Sequence, residues 1–565
     1  MAIWKAPRER RNTARATPRA LQELAARLES NPDAVWTWIE RLQSTHRLED
    51  AGAEHARGVV PTPPDIAARM ADALLRGTPP GAAWRVLDAG CGRGRLLGAV
   101  ARAAAAAAVQ VDCEGIELDA TTARWAQALE PLVRAGARGA VRSWSVRRAD
   151  FLLAPSPSAD CDAVIANPPY VPLRQLDAGL RERLRGRMPR GGAGDLAALF
   201  VARILDRLRP GGRMAVIVPN KLLAAHYAGA LRRRLLTEIS LEEVWDFTGT
   251  RVFAGWGSYP VVLIARNAAP DAGHRVRVLD AQGALRSEWP QSALAAMPDG
   301  VIPLGLDPEL APLAERLFAG PHLGSQVRVA CGIAVAGFGR AIGAGADRIL
   351  CAGDIAPFRT AAPRPFAAAR AGVRPASLER MRVPKILIPG MFRRLCAAWE
   401  PGDALLGRVY YVPARPQSPE RDLLLALLNS RLYGVLYAGL FAGVAQSGGY
   451  LRLNAPYLNA MPWPRRAAAR KLATLVAALE RREGAAERGA LDRAVEDLFE
   501  LSPSERRVLD RLAREQPSAV PIPHGSRPTA ESPAATPIPV RTISQSQKRR
   551  SILDSDDNSV GMDVA

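Results

Sequence analysis

The turn Asn167-Pro168-Pro169-Tyr170 follows a short apolar run at residues 163–166 and carries the residue types with the most evident chemistry. Each proline fixes its φ angle and lacks a backbone N–H, so the turn presents carbonyl acceptors beside the Asn167 side chain. These acceptors suit an amino group whose nitrogen must become nucleophilic, and the Tyr170 ring offers a flat face to a planar molecule. The turn therefore predicts a site at which the amino group of a planar ring reacts.

A glycine-rich loop, Asp88-Ala-Gly90-Cys-Gly92-Arg-Gly94, ends an earlier apolar run. Its glycines allow a tight turn at the carboxyl end of a strand and a close approach of the backbone to a ligand. The acid before them would repel a phosphate, unlike the loop that binds dinucleotides. It would attract a ligand that carries an ammonium and a sulfonium group. The pattern favours S-adenosylmethionine (SAM) as the ligand, with a purely structural turn as the alternative.

Three further residues have types that suit the rest of such a ligand. Glu117 ends the second apolar run, where an acid is placed to bind a ribose diol. Asp150 could accept a hydrogen bond from the exocyclic amine of an adenine, and Phe151 could lie against its ring. The alternative for both carboxylates is a solvated acid on the surface.

Apolar runs alternate with helix-like segments, which is typical of a doubly wound α/β sheet. Ligands of such sheets bind at the carboxyl ends of the strands. The predicted strands lie at residues 84–87, 109–118, 163–166, 214–218, 241–247 and 260–265, and the predicted helices at 95–108, 121–136, 195–208 and 222–236.

The composition narrows the class of function. The chain has 565 residues, of which 48% are hydrophobic and 23% charged, so it is an ordinary globular protein. Its 76 Lys and Arg against 56 Asp and Glu give a net charge of +20, which favours a polyanionic partner such as nucleic acid. The six cysteines form no C-x-x-C pair, and no apolar run has the roughly 18 residues of a membrane span. We expect a cytoplasmic protein without a metal site and without membrane association.

Together these motifs resemble the TaqI-type, or gamma-class, N6-adenine-specific DNA methyltransferases. The resemblance extends over about residues 50–268. Residues 58–70 are similar to the Gly-x-x-x-Thr-Pro segment that closes over the methionine part of the cofactor, which makes Thr62 a cofactor contact. Residues 195–200 and 208–223 resemble two further family segments. Residues 248–253 match the place where an aromatic side chain, here Phe253, holds the extruded base against the tyrosine; Phe247 lies close by.

The resemblance implies a class I SAM-dependent fold, which is Rossmann-like with a mostly parallel seven-stranded sheet. It implies methyl transfer from SAM to N6 of an adenine flipped out of double-stranded DNA, without a metal and within a restriction-modification or phage-defence system. The implied catalytic residues are Asn167, Pro168, Pro169, Tyr170 and Phe253. The implied cofactor-binding residues are Thr62, Asp88, Gly90, Gly92, Glu117, Asp150 and Phe151.

The resemblance also predicts a domain order. We expect a basic arm with helices at residues 1–50, the catalytic domain at 51–268, a mixed α+β target-recognition domain at 269–465, a helical segment at 466–516 and a disordered tail at 517–565. Arg452 and Asn454 are candidates for contacts with DNA bases. The expected partners are double-stranded DNA and a separate restriction endonuclease, and the chain is expected to act as a monomer.

Two alternatives fit part of the pattern. Asn-Pro-Pro-Tyr also occurs in enzymes that methylate a glutamine amide of a protein or ribosomal RNA, although those chains are usually shorter and lack a large C-terminal domain. The second alternative is a DNA-binding specificity subunit that keeps the fold without catalysis. The complete set of acids and the intact turn argue against it.

Overall fold

The computed structural model describes residues 18–45, 61–155, 160–187, 194–248, 250, 259–333, 338–441, 450–465, 469–482 and 484–515. The basic arm at residues 1–17, Phe253 and the tail expected at residues 517–565 lie outside these ranges.

A nine-stranded sheet dominates the first half of the chain. Its strands are β1 (Ala83–Ala89), β2 (Gln110–Glu117), β3 (Val141–Arg148), β4 (Cys161–Ala166), β5 (Leu208–Pro219), β6 (Ser240–Asp246), β7 (Pro260–Arg266), β8 (Arg275–Leu279) and β9 (Leu285–Pro290). The strand order is β3-β2-β1-β4-β5-β7-β6-β8-β9. Strand β7 runs antiparallel to β5 and β6, β9 runs antiparallel to β8, and the other neighbours pair in parallel.

This arrangement confirms the predicted α/β class with a mostly parallel, Rossmann-like sheet. The predicted number of seven strands is wrong, because β8 and β9 add two strands to the same sheet. Both follow residue 268, where the end of the catalytic domain is expected from the sequence, so the sheet continues past that boundary.

Helices cover both faces of the sheet. In chain order they are α1 (Pro18–Leu28), α2 (Pro32–Thr45), α3 (Pro64–Leu75), α4 (Arg95–Ala106), α5 (Ala120–Ala128), α6 (Glu130–Ala137), α7 (Ala178–Leu184), α8 (Leu196–Arg207), α9 (Gly229–Thr237), α10 (Gln291–Ala296) and α11 (Ala311–Phe318). Successive residues of a strand point to opposite faces, so Val86 belongs to the core on one side and Leu87 to the core on the other. Both side chains are fully buried.

Smaller sheets and helices form the rest of the described chain, which confirms the predicted mixed α+β character and the C-terminal helices. The strands are β10 (Ala330–Cys331), β11 (Ile342–Cys351), β12 (Ile355–Ala356), β13 (Arg359–Thr360), β14 (Arg364–Phe366), β15 (Lys385–Pro389), β16 (Met391–Phe392), β17 (Ala398–Glu400), β18 (Leu405–Gly407), β19 (Val409–Pro413) and β20 (Leu451–Arg452). The helices are α12 (Pro375–Met381), α13 (Pro419–Asn429), α14 (Arg431–Phe441), α15 (Ala455–Asn459), α16 (Ala469–Arg481), α17 (Ala485–Leu498) and α18 (Pro503–Glu515).

Three local predictions need correction. The helix expected at 121–136 is two helices, α5 and α6, because Pro131 lies in the first turn of α6 and has no N–H to donate to the preceding turn. The helix expected at 222–236 begins only at Gly229, after two short 3₁₀ turns. Strand β3 is absent from the prediction, because it is an edge strand in which only Val141 and Trp144 are buried.

Candidate active site

The site lies where the strand order changes direction. Strands β1 and β4 are neighbours in the sheet, with Asp88 opposite Ile165. The glycine loop leaves β1 and the Asn-Pro-Pro-Tyr turn leaves β4 at the same edge of the sheet. In open α/β sheets this crevice is where ligands bind. The fold therefore brings the two motifs together as the sequence predicts.

The glycine loop depends on backbone angles that other residues rarely adopt. Gly90, Gly92 and Gly94 have φ angles of +86°, +53° and +73°. A Cβ atom at Gly92 would meet no atom within 4 Å, so this part of the loop is open on its outer side. A Cβ atom at Gly90 would lie 3.6 Å from the ring of Phe200. The loop thus leaves room for a ligand beside its backbone.

Asp88 is fully buried, and neither of its carboxylate oxygens accepts a hydrogen bond from a residue that the structure describes. Burial and the negative charge of Glu117 raise the pKa of Asp88 well above its ordinary value. A buried carboxylate without a partner is costly, and a ligand with a positive charge or hydrogen-bond donors would remove that cost. The ammonium and sulfonium groups of SAM are such partners, so this residue fits the predicted cofactor.

The Glu117 side chain is held by the backbone on both sides of the crevice. Its Oε2 accepts a hydrogen bond from Gly92 N at 2.9 Å, and its Oε1 accepts one from Asp119 N at 2.8 Å. A carboxylate oxygen can accept more than one hydrogen bond, so both oxygens can still serve a diol. Leu118, the next residue, is 66% exposed although it is apolar. Sequence reasoning missed Leu118, and its position between two acids at a strand end was the available signal.

Asp150 and Phe151 follow the end of β3. Asp150 Oδ1 accepts a hydrogen bond from Leu152 N at 2.9 Å. The Phe151 ring is buried, with the Phe200 ring centroid 5.1 Å away and the Arg203 guanidinium 5.5 Å from its own centroid. The structure therefore packs Phe151 as a core residue and does not present its ring as an open face for adenine. Phe200, which packs on Phe151, is buried in the same core.

The Asn-Pro-Pro-Tyr turn is joined to the Thr-Pro segment by a side-chain hydrogen bond, a contact that the sequence did not predict. Asn167 Nδ2 donates a hydrogen bond to Thr62 Oγ1 at 3.1 Å, and Thr62 is buried. Pro168 is buried, and Pro169 and Tyr170 are partly exposed. The bond fixes the plane of the Asn167 amide beside the turn.

The Tyr170 hydroxyl is buried and has no hydrogen-bond partner among the described residues. Burial, with a contribution from the negative charge of Asp195, raises the pKa of Tyr170 well above its ordinary value. Phe253, the expected second wall for a base, lies outside the described residues. Phe247 is fully buried in the core beneath the sheet, so it cannot form that wall in this conformation.

The sequence analysis also missed an ion pair beside the turn. Lys221 Nζ lies 2.8 Å from Asp195 Oδ2, and Asp195 is 1% exposed. Asp195 is the N-cap residue of α8, where its Oδ1 accepts a hydrogen bond from Ala197 N at 3.1 Å. The two charged residues are 26 positions apart in the sequence, and no local pattern joins them.

The two candidates for base contacts lie on the segment that contains β20. Arg452 is exposed, and its backbone carbonyl accepts a hydrogen bond from the Tyr437 hydroxyl at 3.2 Å. Asn454 precedes α15, and its backbone carbonyl accepts hydrogen bonds from Tyr457 N at 3.0 Å and Leu458 N at 3.2 Å. Arg452 thus presents its side chain to solvent, whereas Asn454 is partly buried at the start of a helix.

The described residues contain no group of three or more His, Cys, Asp or Glu side chains that could hold a metal ion. No single described helix is long and apolar enough to cross a membrane, although the bent pair α13 and α14 together has the length and composition of a span.

Part of the chain is similar in sequence to known methyltransferases. Residues 148–253 match the family model described as Eco57I restriction-modification methylase. The chain is 36% identical over 144 residues to the Type II methyltransferase M.XhoI of Xanthomonas vasicola, and 34% identical over 94 residues to the Type II methyltransferase M.BanIII of Aneurinibacillus aneurinilyticus. This chain resembles a restriction-modification methyltransferase. The matched range contains the Asn-Pro-Pro-Tyr turn, Asp195 and Lys221, whereas Thr62, Asp88 and Glu117 lie before it.

The similarity to these methyltransferases covers part of each protein. The alignments include 25% and 17% of this chain, and 26% of M.XhoI and 16% of M.BanIII. Among solved structures, the nuclease-deletion mutant of the Type ISP restriction-modification enzyme LlaGI has a TM-score of 0.46 at 10% identity, over 75% of this chain and 54% of that one. The type IIG restriction endonuclease BpuSI has a TM-score of 0.40 at 15% identity, over 86% and 68%.

Proposed function

We propose that this chain transfers a methyl group from SAM to the exocyclic N6 amino group of an adenine in double-stranded DNA. The observation that carries the proposal is the meeting of two motifs at one crevice. The buried Asp88 carboxylate, which has no hydrogen-bond partner among the described residues, lies next to the last residue of β1, and the Asn167 turn follows the neighbouring strand β4. One motif suits a cationic cofactor and the other suits an amino group.

The cofactor would be held by residues at the carboxyl ends of β1, β2 and β3. Asp88 would bind the ammonium group, the loop at Gly90 and Gly92 would contact the cofactor through its backbone, and Glu117 would bind the ribose hydroxyls. Thr62 would close the methionine end. Asp150 would accept from the adenine amine, and the exposed Leu118 would cover the ring. When bound, SAM supplies the methyl group on a positively charged sulfur.

The target would be held by the turn after β4. An adenine in a duplex is stacked and paired, so it must be flipped out at a cost of a few kcal/mol. Stacking on the Tyr170 ring would offset part of that cost, since a base on an aromatic side chain is worth about 1–3 kcal/mol. The Asn167 amide oxygen and the Pro168 carbonyl would accept hydrogen bonds from the amino group. This directs its lone pair toward the methyl group, and positioning supplies most of the rate enhancement.

The charge and the relatives support DNA as the substrate. A net charge of +20 favours a polyanion. The matched family is described as a restriction-modification methylase, and both relatives are named Type II methyltransferases. We therefore place the proposed activity in a restriction-modification system, with a separate endonuclease as the partner.

The test is methyl transfer from labelled SAM to unmethylated plasmid DNA, ribosomal RNA and a protein extract, run side by side. We expect label in DNA as N6-methyladenine. The Asn167→Ala variant should lose it, and the Asn31→Ala variant, whose change lies at the exposed start of α2, should keep it. Label in RNA or in a protein glutamine would replace the proposed substrate. Binding of DNA without transfer to any acceptor would favour a non-catalytic specificity subunit.

A further inference from the structure

Asp195 is the point at which three elements near the catalytic turn meet. Its carboxylate caps α8, the helix that carries Phe200. Its backbone forms a bridge with Pro172, two residues after Tyr170. Its Oδ2 pairs with Lys221, which comes directly after the Asn220 that follows β5. A single buried acid thus connects the turn, the helix and the end of a central strand.

The chain after Tyr170 is held against this acid by backbone hydrogen bonds. Leu196 N donates to Val171 O at 2.9 Å, and Leu173 N donates to Gly194 O at 3.0 Å. These two bonds lie on either side of Asp195. The position of the Tyr170 ring therefore depends on the segment at residues 194–196.

Lys221 is itself anchored at a well-defined place. The preceding residue, Asn220, is buried, its N donates to Tyr259 O at 2.8 Å, and its Nδ2 donates to Thr248 Oγ1 at 3.3 Å. The Lys221 side chain is 36% exposed, so the ammonium group reaches Asp195 from the open side of the site.

A second tyrosine borders the same acid. A Cβ atom at Gly194 would lie 3.5 Å from the Tyr227 ring, and the Tyr227 hydroxyl is buried without a hydrogen-bond partner among the described residues. Burial, and the nearby charge of Asp195, raise the pKa of Tyr227 as they do for Tyr170. Lys221 is the cation that pairs with Asp195, and the buried Arg232 guanidinium lies near enough to Tyr227 to oppose the rise of its pKa.

We propose that Lys221 is a positioning residue for the methyl transfer, acting through its ion pair with Asp195 to hold the segment that follows Tyr170. The inference rests on the proposed function of the turn. Without the lysine, the buried Asp195 carboxylate would lose its counter-charge, and a buried charge without a partner disrupts the structure around it. The pairing between residues 171–173 and 194–196 would then loosen, and the ring of Tyr170 would move.

The experiment compares the full-length wild type with Lys221→Met, Lys221→Arg and Asp195→Asn, and with the double variant that combines Lys221→Met and Asp195→Asn. Asparagine is a good N-cap residue, so Asp195→Asn preserves the cap of α8 while it removes the charge. We measure the turnover rate on plasmid DNA, the SAM dissociation constant by calorimetry, and hydrogen exchange of the Leu173 and Leu196 amides by mass spectrometry. Lys471→Met, which removes an exposed lysine from α16, is the matched control.

We expect Lys221→Met to lower the turnover rate by about tenfold to a hundredfold, because misplacement of about 1 Å has effects of this size. The SAM dissociation constant should stay within about threefold of the wild-type value, which is less than the tenfold change that corresponds to 1.4 kcal/mol of binding free energy. Exchange at the Leu173 and Leu196 amides should become faster. Lys221→Arg should retain most of the rate.

The double variant decides between an indirect and a direct role. If Lys221 acts through Asp195, removing both charges should restore much of the rate and the slow exchange. An equally inactive double variant would overturn the inference, because Lys221 would then contact the substrate itself. Unchanged turnover and exchange in Lys221→Met would also overturn it. If the wild type methylates no DNA, the proposed function fails, and the exchange measurement still decides whether the ion pair orders the turn.

Discussion

Asp88 should destabilise the free protein, and replacing it by asparagine should make the chain more stable while abolishing cofactor binding. The carboxylate is fully buried, has no hydrogen-bond partner among the described residues and lies near the charge of Glu117. A buried charge without a partner costs about 3–5 kcal/mol. An unsatisfied neutral amide at the same place costs about 1–3 kcal/mol. The free energy of unfolding should therefore rise by about 2 kcal/mol in Asp88→Asn at neutral pH.

The gain in stability from Asp88→Asn should increase as the pH rises. Burial raises the pKa of Asp88 above its unfolded value of 3.8, so the folded state disfavours the charged form. Below that unfolded value the side chain is protonated in both states and costs nothing through its charge. As the pH rises, the cost grows by about 1.4 kcal/mol per pH unit until it levels off at the folded pKa. The advantage of Asp88→Asn should thus be small near pH 4 and larger at pH 7.

The assay is urea unfolding of the ligand-free protein at pH 5 and pH 7, together with calorimetry of SAM binding. The control is Asp354→Asn, since Asp354 is also buried but its Oδ2 accepts from Cys351 N at 2.7 Å and from Arg364 Nη2 at 3.0 Å. That variant should lose about 1–3 kcal/mol. A destabilised Asp88→Asn, a gain independent of pH, or unchanged SAM binding would refute the reasoning.

Three further changes test other parts of the structure. Gly90→Ala places a Cβ atom at φ +86° with an ordinary 3.6 Å contact to Phe200, so it should cost about 1–2 kcal/mol through the backbone alone and weaken SAM binding; unchanged binding by calorimetry would contradict this. Leu118→Ser should alter the free energy of unfolding by no more than about 0.5 kcal/mol, because the side chain is 66% exposed, yet raise the SAM dissociation constant about fivefold. A dissociation constant equal to that of the wild type would show that Leu118 does not contact SAM. Lys385→Met leaves the buried Glu400 without its cation and should lower the free energy of unfolding in urea by about 3–5 kcal/mol. Adding Glu400→Gln should recover part of that loss. If the effects of the two substitutions simply add, the pairing would be contradicted.

The apolar pattern and the motif spacing were sufficient to predict the strands from which the glycine loop and the Asn167 turn extend. Six apolar runs correspond to strands of the large sheet, because buried parallel strands read as continuous apolar sequence. The edge strand β3 escaped this reasoning, since water replaces a neighbouring strand on one side and most of its residues are exposed. The glycine loop and the Asn167 turn could be predicted because each consists of consecutive residues whose types indicate its chemistry.

The contacts that the sequence could not reveal are long-range. From the sequence, Phe151 could be a ligand contact or a core residue. The structure shows it in the core, because the Phe200 ring of α8 packs against it. The sequence shows Asp88 as an acid before glycines, but only the folded chain shows that its carboxylate accepts no hydrogen bond from the part of the chain that the structure describes. The pairing of Asp195 with Lys221 depends on the end of β5 lying beside the start of α8. Phe253 stays a prediction.

The continuation of the large sheet through β8 and β9 affects how this protein could be divided or recombined. Strand β8 pairs with β6 through Arg277, Val278 and Leu279, and β9 covers β8 in turn. A fragment cut at residue 268 would leave β6 as an open edge, and unpaired edges of this kind recruit other chains and aggregate. Exchange of the C-terminal part of the chain, where the sequence predicts a target-recognition domain, should therefore join the chains after Pro290, where the sheet is complete.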